Sequence, residues 1–210
     1  MNDRLWWYVA RSAGLVSWSL LGIAVLWGLA LSGRLTRRPK PAWVLDVHRF
    51  LGGLAVIFVG IHLAGLVADS FVPFGFADLF VPFASSWQPG AVAWGVTAFY
   101  LLVAIEITSL FMRRLPRRHW RAVHLTSYAL FAVATIHLLT AGTNASNPVV
   151  QWSVLGMVAA VGNFTVVRAF SRAAPRAGSR APVAVARSDA AAPPSADGSE
   201  RARLRGGTAA

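Results

Sequence analysis

The sequence predicts an all-α membrane protein, a bundle of five transmembrane helices with the N-terminus outside and the C-terminus cytoplasmic. Three observations predict it. The 210 residues are 56% hydrophobic with a mean hydropathy of +0.54, and only 13% are charged, about half the soluble norm of roughly 25%. Five apolar stretches are long enough to cross a hydrocarbon core, which takes about 20 helical residues. Lysine and arginine fall in alternate linkers between those stretches.

The spans lie near 12–32, 47–69, 90–111, 121–141 and 149–168. Each should be helical, because lipid offers no partner to an open backbone. The first span is followed by Arg34, Arg37, Arg38 and Lys40, and the third by Arg113, Arg114, Arg117, Arg118 and Arg121. From Arg168 onward the chain adds eight arginines. Linkers 70–89 and 142–148 have no Lys or Arg. The positive-inside rule then sets the orientation, with spans two and four both running from inside to outside. A cleaved secretory signal over residues 1–32 is the rival reading; it would translocate the Arg34–Lys40 cluster against the charge rule. Trp6, Trp7, Trp87, Trp94 and Trp152 gather at the outer interface, and Trp43 and Trp120 at the inner one; Trp18 and Trp27 fall deeper. Residues 1–170 form the bundle. Residues 171–210, rich in Ala, Pro, Arg, Ser and Gly, read as a disordered basic cytoplasmic tail, resting on anionic lipid or simply solvated. The net charge of +12 is thus read as membrane orientation, and no nucleic-acid partner is expected.

The five histidines are His48, His62, His119, His124 and His137. His48 and His62 stand on span two, His124 and His137 on span four. At 1.5 Å per residue, the pairs are about 21 and 19.5 Å apart along their axes. Since both spans run the same way, His48 shares the inner level with His124, and His62 the outer level with His137. Facing imidazoles at each of two depths are what two stacked, bis-histidine-ligated haems require. A lone intramembrane histidine is often merely bonded to a neighbouring helix; four at matched depths point to function. Two protein ligands per iron leave no open position, which suits electron transfer. The absence of cysteine excludes disulfides, thiolate-held clusters and covalent haem attachment. One strain is visible. Fourteen residues of helix return within about 40° of the starting face, but thirteen miss it by about 140°, so span four must overwind, bulge or present its two rings from different sides. His119, in a basic linker, reads as a surface residue.

The segments HRFLGGLA…H and WRAVHLTSYALFAVATIHLL resemble the ferric reductase-like transmembrane domain family, over roughly residues 12–168. That family includes the membrane cores of NADPH oxidases and ferric reductases, and the haem-binding membrane subunit of the methionine sulfoxide reductase system. Trp120, His124, Tyr128 and His137 match the pattern of its second histidine helix, and His48 and His62 that of its first. The resemblance implies two b haems, an inner one on His48 and His124 and an outer one on His62 and His137. Two departures stand out. Family members commonly have six spans, and full reductases carry a cytoplasmic flavin and nicotinamide module. No strand–Gly-loop–helix pattern able to cradle a pyrophosphate follows the last span here. With no flavin or NADPH site in this chain, a separate flavoprotein reductase or a quinone is expected as electron donor, feeding an unidentified external acceptor.

Arg49 and Arg121 lie close to the inner ligands, as haem-propionate contacts or as snorkelling anchors. Arg11 is the corresponding cation at the outer level. Phe58, Tyr128 and Phe131 fall between the two levels, in the electron path or as ordinary core. Glu106 is the one acid well inside a span, and linker 70–89 is apolar enough to lie on the bilayer and cap the outer site. The expected function is that of a di-haem b-type cytochrome in the cell membrane, an oxidoreductase component. The alternative is a transporter or metal-binding protein whose histidines hold a bare ion. Against it, no Asp or Glu lies within one turn of His62, His124 or His137.

Overall fold

Runs of Leu, Val, Ala and Gly with few charges leave each long segment one way to satisfy its backbone, and helices result. The computed structural model describes residues 4–32, 41–70, 72–143 and 145–173, which fall in the unit Met1–Ala174. The Arg34–Lys40 cluster and nearly all of the tail expected over 171–210 lie outside the described residues. The elements are α1 (Leu5–Ser32), α2 (Ala42–Ala68), α3 (Phe76–Phe80), α4 (Pro89–Leu110), α5 (Arg117–Leu125), α6 (Ser127–Ala141) and α7 (Pro148–Ala173). There is no strand among the described residues.

Five helices are long and apolar enough to cross a membrane: Leu5–Ser32, Ala42–Ala68, Pro89–Leu110, Arg117–Ala141 and Pro148–Phe170. The first two begin earlier than the 12 and 47 expected from hydropathy. Interfacial residues such as Trp6, Trp7 and Trp43 extend the helix beyond the lipid; 28 residues span about 42 Å, against a hydrocarbon core of about 30 Å. Large apolar side chains are left outward-facing, Phe50 at 67% and Leu110 at 78% exposure among them. A bilayer suits that surface and water does not.

The fourth span is two helices meeting at Thr126. There the amide and hydroxyl of Thr126 both donate to the Val123 carbonyl, at 3.0 and 2.6 Å. This i→i−3 bond tightens one turn and overwinds the segment between His124 and His137. The tightened turn lies between the two histidines and supplies about 60° of the roughly 140° that the thirteen-residue spacing lacks.

α1 packs most extensively on α2, and α4 on α6, with α1 also meeting α6 and α7. Two buried clusters follow from these contacts. Leu21, Ala55, Leu102, Ile105 and Leu130 join α1, α2, α4 and α6 at mid-height, with Ala55 fully buried. Trp18, Leu29, Phe131, Val154 and Val161 bring α7 onto α1 and α6. Trp18 stacks on Phe131 at 6.0 Å and donates its indole N–H to Thr135 Oγ1 at 3.0 Å. The deep indole of Trp27 donates to the Val44 carbonyl at 2.8 Å, so neither deep tryptophan is left unpaired.

Candidate functional site

The bundle has a loop end, bearing linker 69–88, and a basic end, bearing linker 111–116. At the loop end the rings of His62 and His137 face each other with centroids 6.4 Å apart and planes at 76°. At the basic end His48 and His124 do the same, at 5.9 Å and 72°. Level-matched histidines on different helices thus meet in pairs.

What holds the rings was not read from the sequence. The Nδ1 of His62 lies 2.6 Å from the Ala10 carbonyl, and that of His137 lies 2.8 Å from the Ala91 carbonyl. A carbonyl only accepts, so both rings are Nδ1–H tautomers with the Nε2 lone pair free to bind a metal. The approach depends on glycine. A Cβ on Gly14 would lie 3.1 Å from His62 Nδ1, and one on Gly95 would lie 2.7 Å from His137 Cε1. Each glycine stands four residues, one turn, after the alanine whose carbonyl is used, so its bare Cα opens a path to that oxygen. Gly28 repeats the arrangement for His48, with its Cβ position 3.2 Å from Cε1. The carbonyl four residues before it, that of Ala24, interacts with the ring. It falls outside hydrogen-bond geometry, since His48 Nδ1 is buried with no partner. His124 Nδ1 is likewise buried without one, and Trp120 stacks flat on that ring at 5.0 Å and 20°. The signal was present in the sequence: Gly14 and Gly28 carry the same fourteen-residue spacing as His48 and His62.

His62 and His137 also line a largely apolar cavity at the loop end, with Arg11, Asp69 and Trp87 in its wall. Linker residues Val72, Phe74, Asp78 and Leu79 help to close it, consistent with the capping expected of 70–89. Arg11 lies over the Trp7 ring at 4.5 Å, and both its Nε and Asp69 Oδ1 are buried without a protein partner. The buried acid Asp69 is a feature that sequence reading passed over.

The other expected residues are more peripheral. Arg49 and Arg121 are exposed, and Arg49 makes a 3.8 Å surface pair with Asp46, a contact worth little. His119 is exposed, as expected of a surface residue. Glu106 is half-buried with its carboxylate against Gly52 of α2. Phe131 and Tyr128 pack with Trp18 between the two histidine levels.

The ring separations fit a metal shared by each pair, as the iron of a porphyrin would be. Imidazole nitrogens about 2 Å from a shared metal put their ring centroids about 6 Å apart, which is the separation of both pairs. A model of the family described as ferric reductase like transmembrane component matches residues 13–135, more than half of the chain. The chain belongs to that family. The match takes in His48, His62 and His124 and ends two residues before His137. No curated protein and no solved structure matches the chain. As a ferric reductase-like transmembrane component, the chain is a multi-pass membrane protein of electron transfer. The family typically binds haem and works as a membrane component beside a reductase or other donor.

Proposed function

We propose that the chain is a di-haem b-type cytochrome that carries electrons across the cell membrane. His48 and His124 would hold one haem and His62 and His137 the other. Bound there, each iron would exchange single electrons between its ferric and ferrous states without taking up a substrate ligand. The pairing of His62 with His137 in an apolar cavity is the observation that carries this reading. Main-chain carbonyls orient those rings, and Arg11 offers a cation to a propionate. Between the levels, Leu21, Ala55, Leu102 and Leu130 exclude water, so charge crosses as electrons and not as ions. The Lys and Arg pattern supports a cytoplasmic basic end. There a separate flavoprotein reductase or a quinone would deliver electrons for an acceptor outside.

The bare-ion alternative asks for more ligands at one depth than the bundle supplies. Among the described residues no three of His, Cys, Asp and Glu gather to hold a metal. Reduced-minus-oxidised optical spectra with a haem count, on protein purified in detergent, test the proposal. Two b-type haems per chain are expected, with His48→Ala and His62→Ala each losing a different one. A colourless preparation from haem-replete cells would refute it.

A further inference from the structure

We propose that Trp120 is a positioning residue that fixes the plane of the His124 ring by stacking on it, the part a main-chain carbonyl plays for other rings of the site. This inference rests on the haem reading above. Three observations carry it.

The first is the face that α5 turns to the bundle. Of its residues only Trp120, Val123 and His124 are half-buried, and the rest are exposed. Positions i, i+3 and i+4 share one side of a helix, so these three make up the inward side of α5. Val123 packs against the mid-height cluster of Leu21, Ala55, Leu102, Ile105 and Leu130, and His124 faces His48. Trp120, one turn before His124, lies flat on that ring, with centroids 5.0 Å apart and planes 20° from parallel. Rings at that separation are in stacking contact.

The second observation is a contrast among the four rings. Carbonyls of Ala10 and Ala91 hold the Nδ1 of His62 and His137, and the Ala24 carbonyl interacts with His48. His124 Nδ1 is buried without a partner, and so is the indole Nε1 of Trp120. No hydrogen bond therefore pins either ring. The torsion that turns an imidazole about its Cβ–Cγ bond is soft, and a flat neighbour restrains it by blocking the sweep of the ring. Third, His124 crosses His48 at 72°, close to the 76° between His62 and His137. Carbonyls fix both planes at the loop end. At the basic end one of the two rings has no such bond, and the indole face supplies the restraint that is missing.

The consequence is spectroscopic. The angle between two axial imidazole planes sets the splitting of the iron d-orbitals, and with it the anisotropy of the ferric low-spin electron paramagnetic resonance signal. Trp120→Leu fills much of the space but offers no flat face. It is expected to shift or broaden the signal of the haem on His48 and His124 and leave the other as in wild type. The unmoved loop-end signal, in the same molecule, reports that the bundle is folded. Repeating the measurement in the His62→Ala background, where only the basic-end haem remains, assigns the change. Trp120→Phe keeps a flat ring and is expected to hold the wild-type signal. If Trp120→Leu instead sheds the basic-end haem while Trp120→Phe retains it, the stacked ring is again what holds the ligand. A haem-loaded Trp120→Leu with wild-type signals overturns this assignment alone. So does a change common to both haems, or one that Trp120→Phe shows equally. A wild-type chain without haem overturns the functional reading first.

Discussion

Gly95 and His137 are in contact so close that a methyl group on the glycine would lie 2.7 Å from Cε1 of the ring and 3.0 Å from both its nitrogens. The ring is tethered by its bond to the Ala91 carbonyl and faces His62 on its other side, so it has little room to yield. Gly95→Ala should therefore cost about 1–3 kcal/mol by overpacking and lose the loop-end haem, leaving one per chain. At Gly53 and Gly60 of α2 a methyl group would meet nothing within 4 Å, and alanine there should be neutral or stabilise by up to about 1 kcal/mol. Haem counts and thermal melts of the three variants in detergent check this. Two haems with wild-type spectra in Gly95→Ala would contradict it.

The near-perpendicular planes of the paired rings, 72° and 76°, make a spectroscopic prediction. Crossed imidazoles leave the two iron d-orbitals of π symmetry nearly degenerate. Both ferric haems should therefore give strongly anisotropic low-spin electron paramagnetic resonance signals. The rhombic spectrum typical of parallel imidazoles would show that the rings turn on loading.

The two histidine levels were legible because rise per residue converts spacing into depth, and four intramembrane histidines leave few ways to pair. Span number was legible for the same reason: lipid thickness fixes helix length. The tightening at Thr126 was not, since a threonine in an apolar run gives no sign whether its hydroxyl bonds three or four residues back. The carbonyl cradles were missed for a different reason. The fourteen-residue spacing of Gly14 and Gly28 is visible in the sequence, but which ring meets Ala10–Gly14 or Ala91–Gly95 is set by the facing helix. Arg49 was placed near the inner level by depth alone, as a propionate contact or a snorkelling anchor; depth does not give the direction of its side chain, which pairs with Asp46 at 3.8 Å.

The tightened turn at Thr126 lies between His124 and His137, so changes of length there should act as changes of angle. Deleting Thr126 rotates one histidine by about 100° relative to the other, and one haem of the two should be lost. Thr126→Ala with one extra alanine inserted after it restores a fourteen-residue spacing, which a regular helix satisfies as α2 does. That variant should keep both haems. Equal haem content in the deletion and the insertion would show that the tightened turn is incidental.

Trp18 and Thr135 tie α1 to α6 through a buried 3.0 Å bond, in which the Thr135 hydroxyl also donates to the Phe131 carbonyl at 2.7 Å. Thr135→Val strands the indole N–H, at a cost of about 1–3 kcal/mol. Trp18→Phe removes the donor but opens space, a comparable loss by cavity formation. In the double variant the stranded N–H is gone, so the losses should fall short of additive by about 1 kcal/mol. Unfolding in mixed micelles measures the cycle. Strict additivity would mean that the two side chains do not share a bond in the folded protein.

The proposed orientation is open to direct chemical test, because the chain contains no cysteine and any introduced thiol is the sole target. Phe83, in linker 69–88, is 72% exposed, and Arg114, in linker 111–116, is also exposed. If lysine and arginine set the topology, Phe83→Cys faces the outside and Arg114→Cys the cytoplasm. A membrane-impermeant maleimide applied to intact cells should then label Phe83→Cys at once. Arg114→Cys should be labelled only after permeabilisation. The reverse pattern would invert the bundle, putting His62, His137 and their cavity on the cytoplasmic side, and would make the loop end the place where a donor docks. Labelling of both sites in intact cells would mean that the chain inserts in two orientations, and a one-way path for electrons would then have no structural basis.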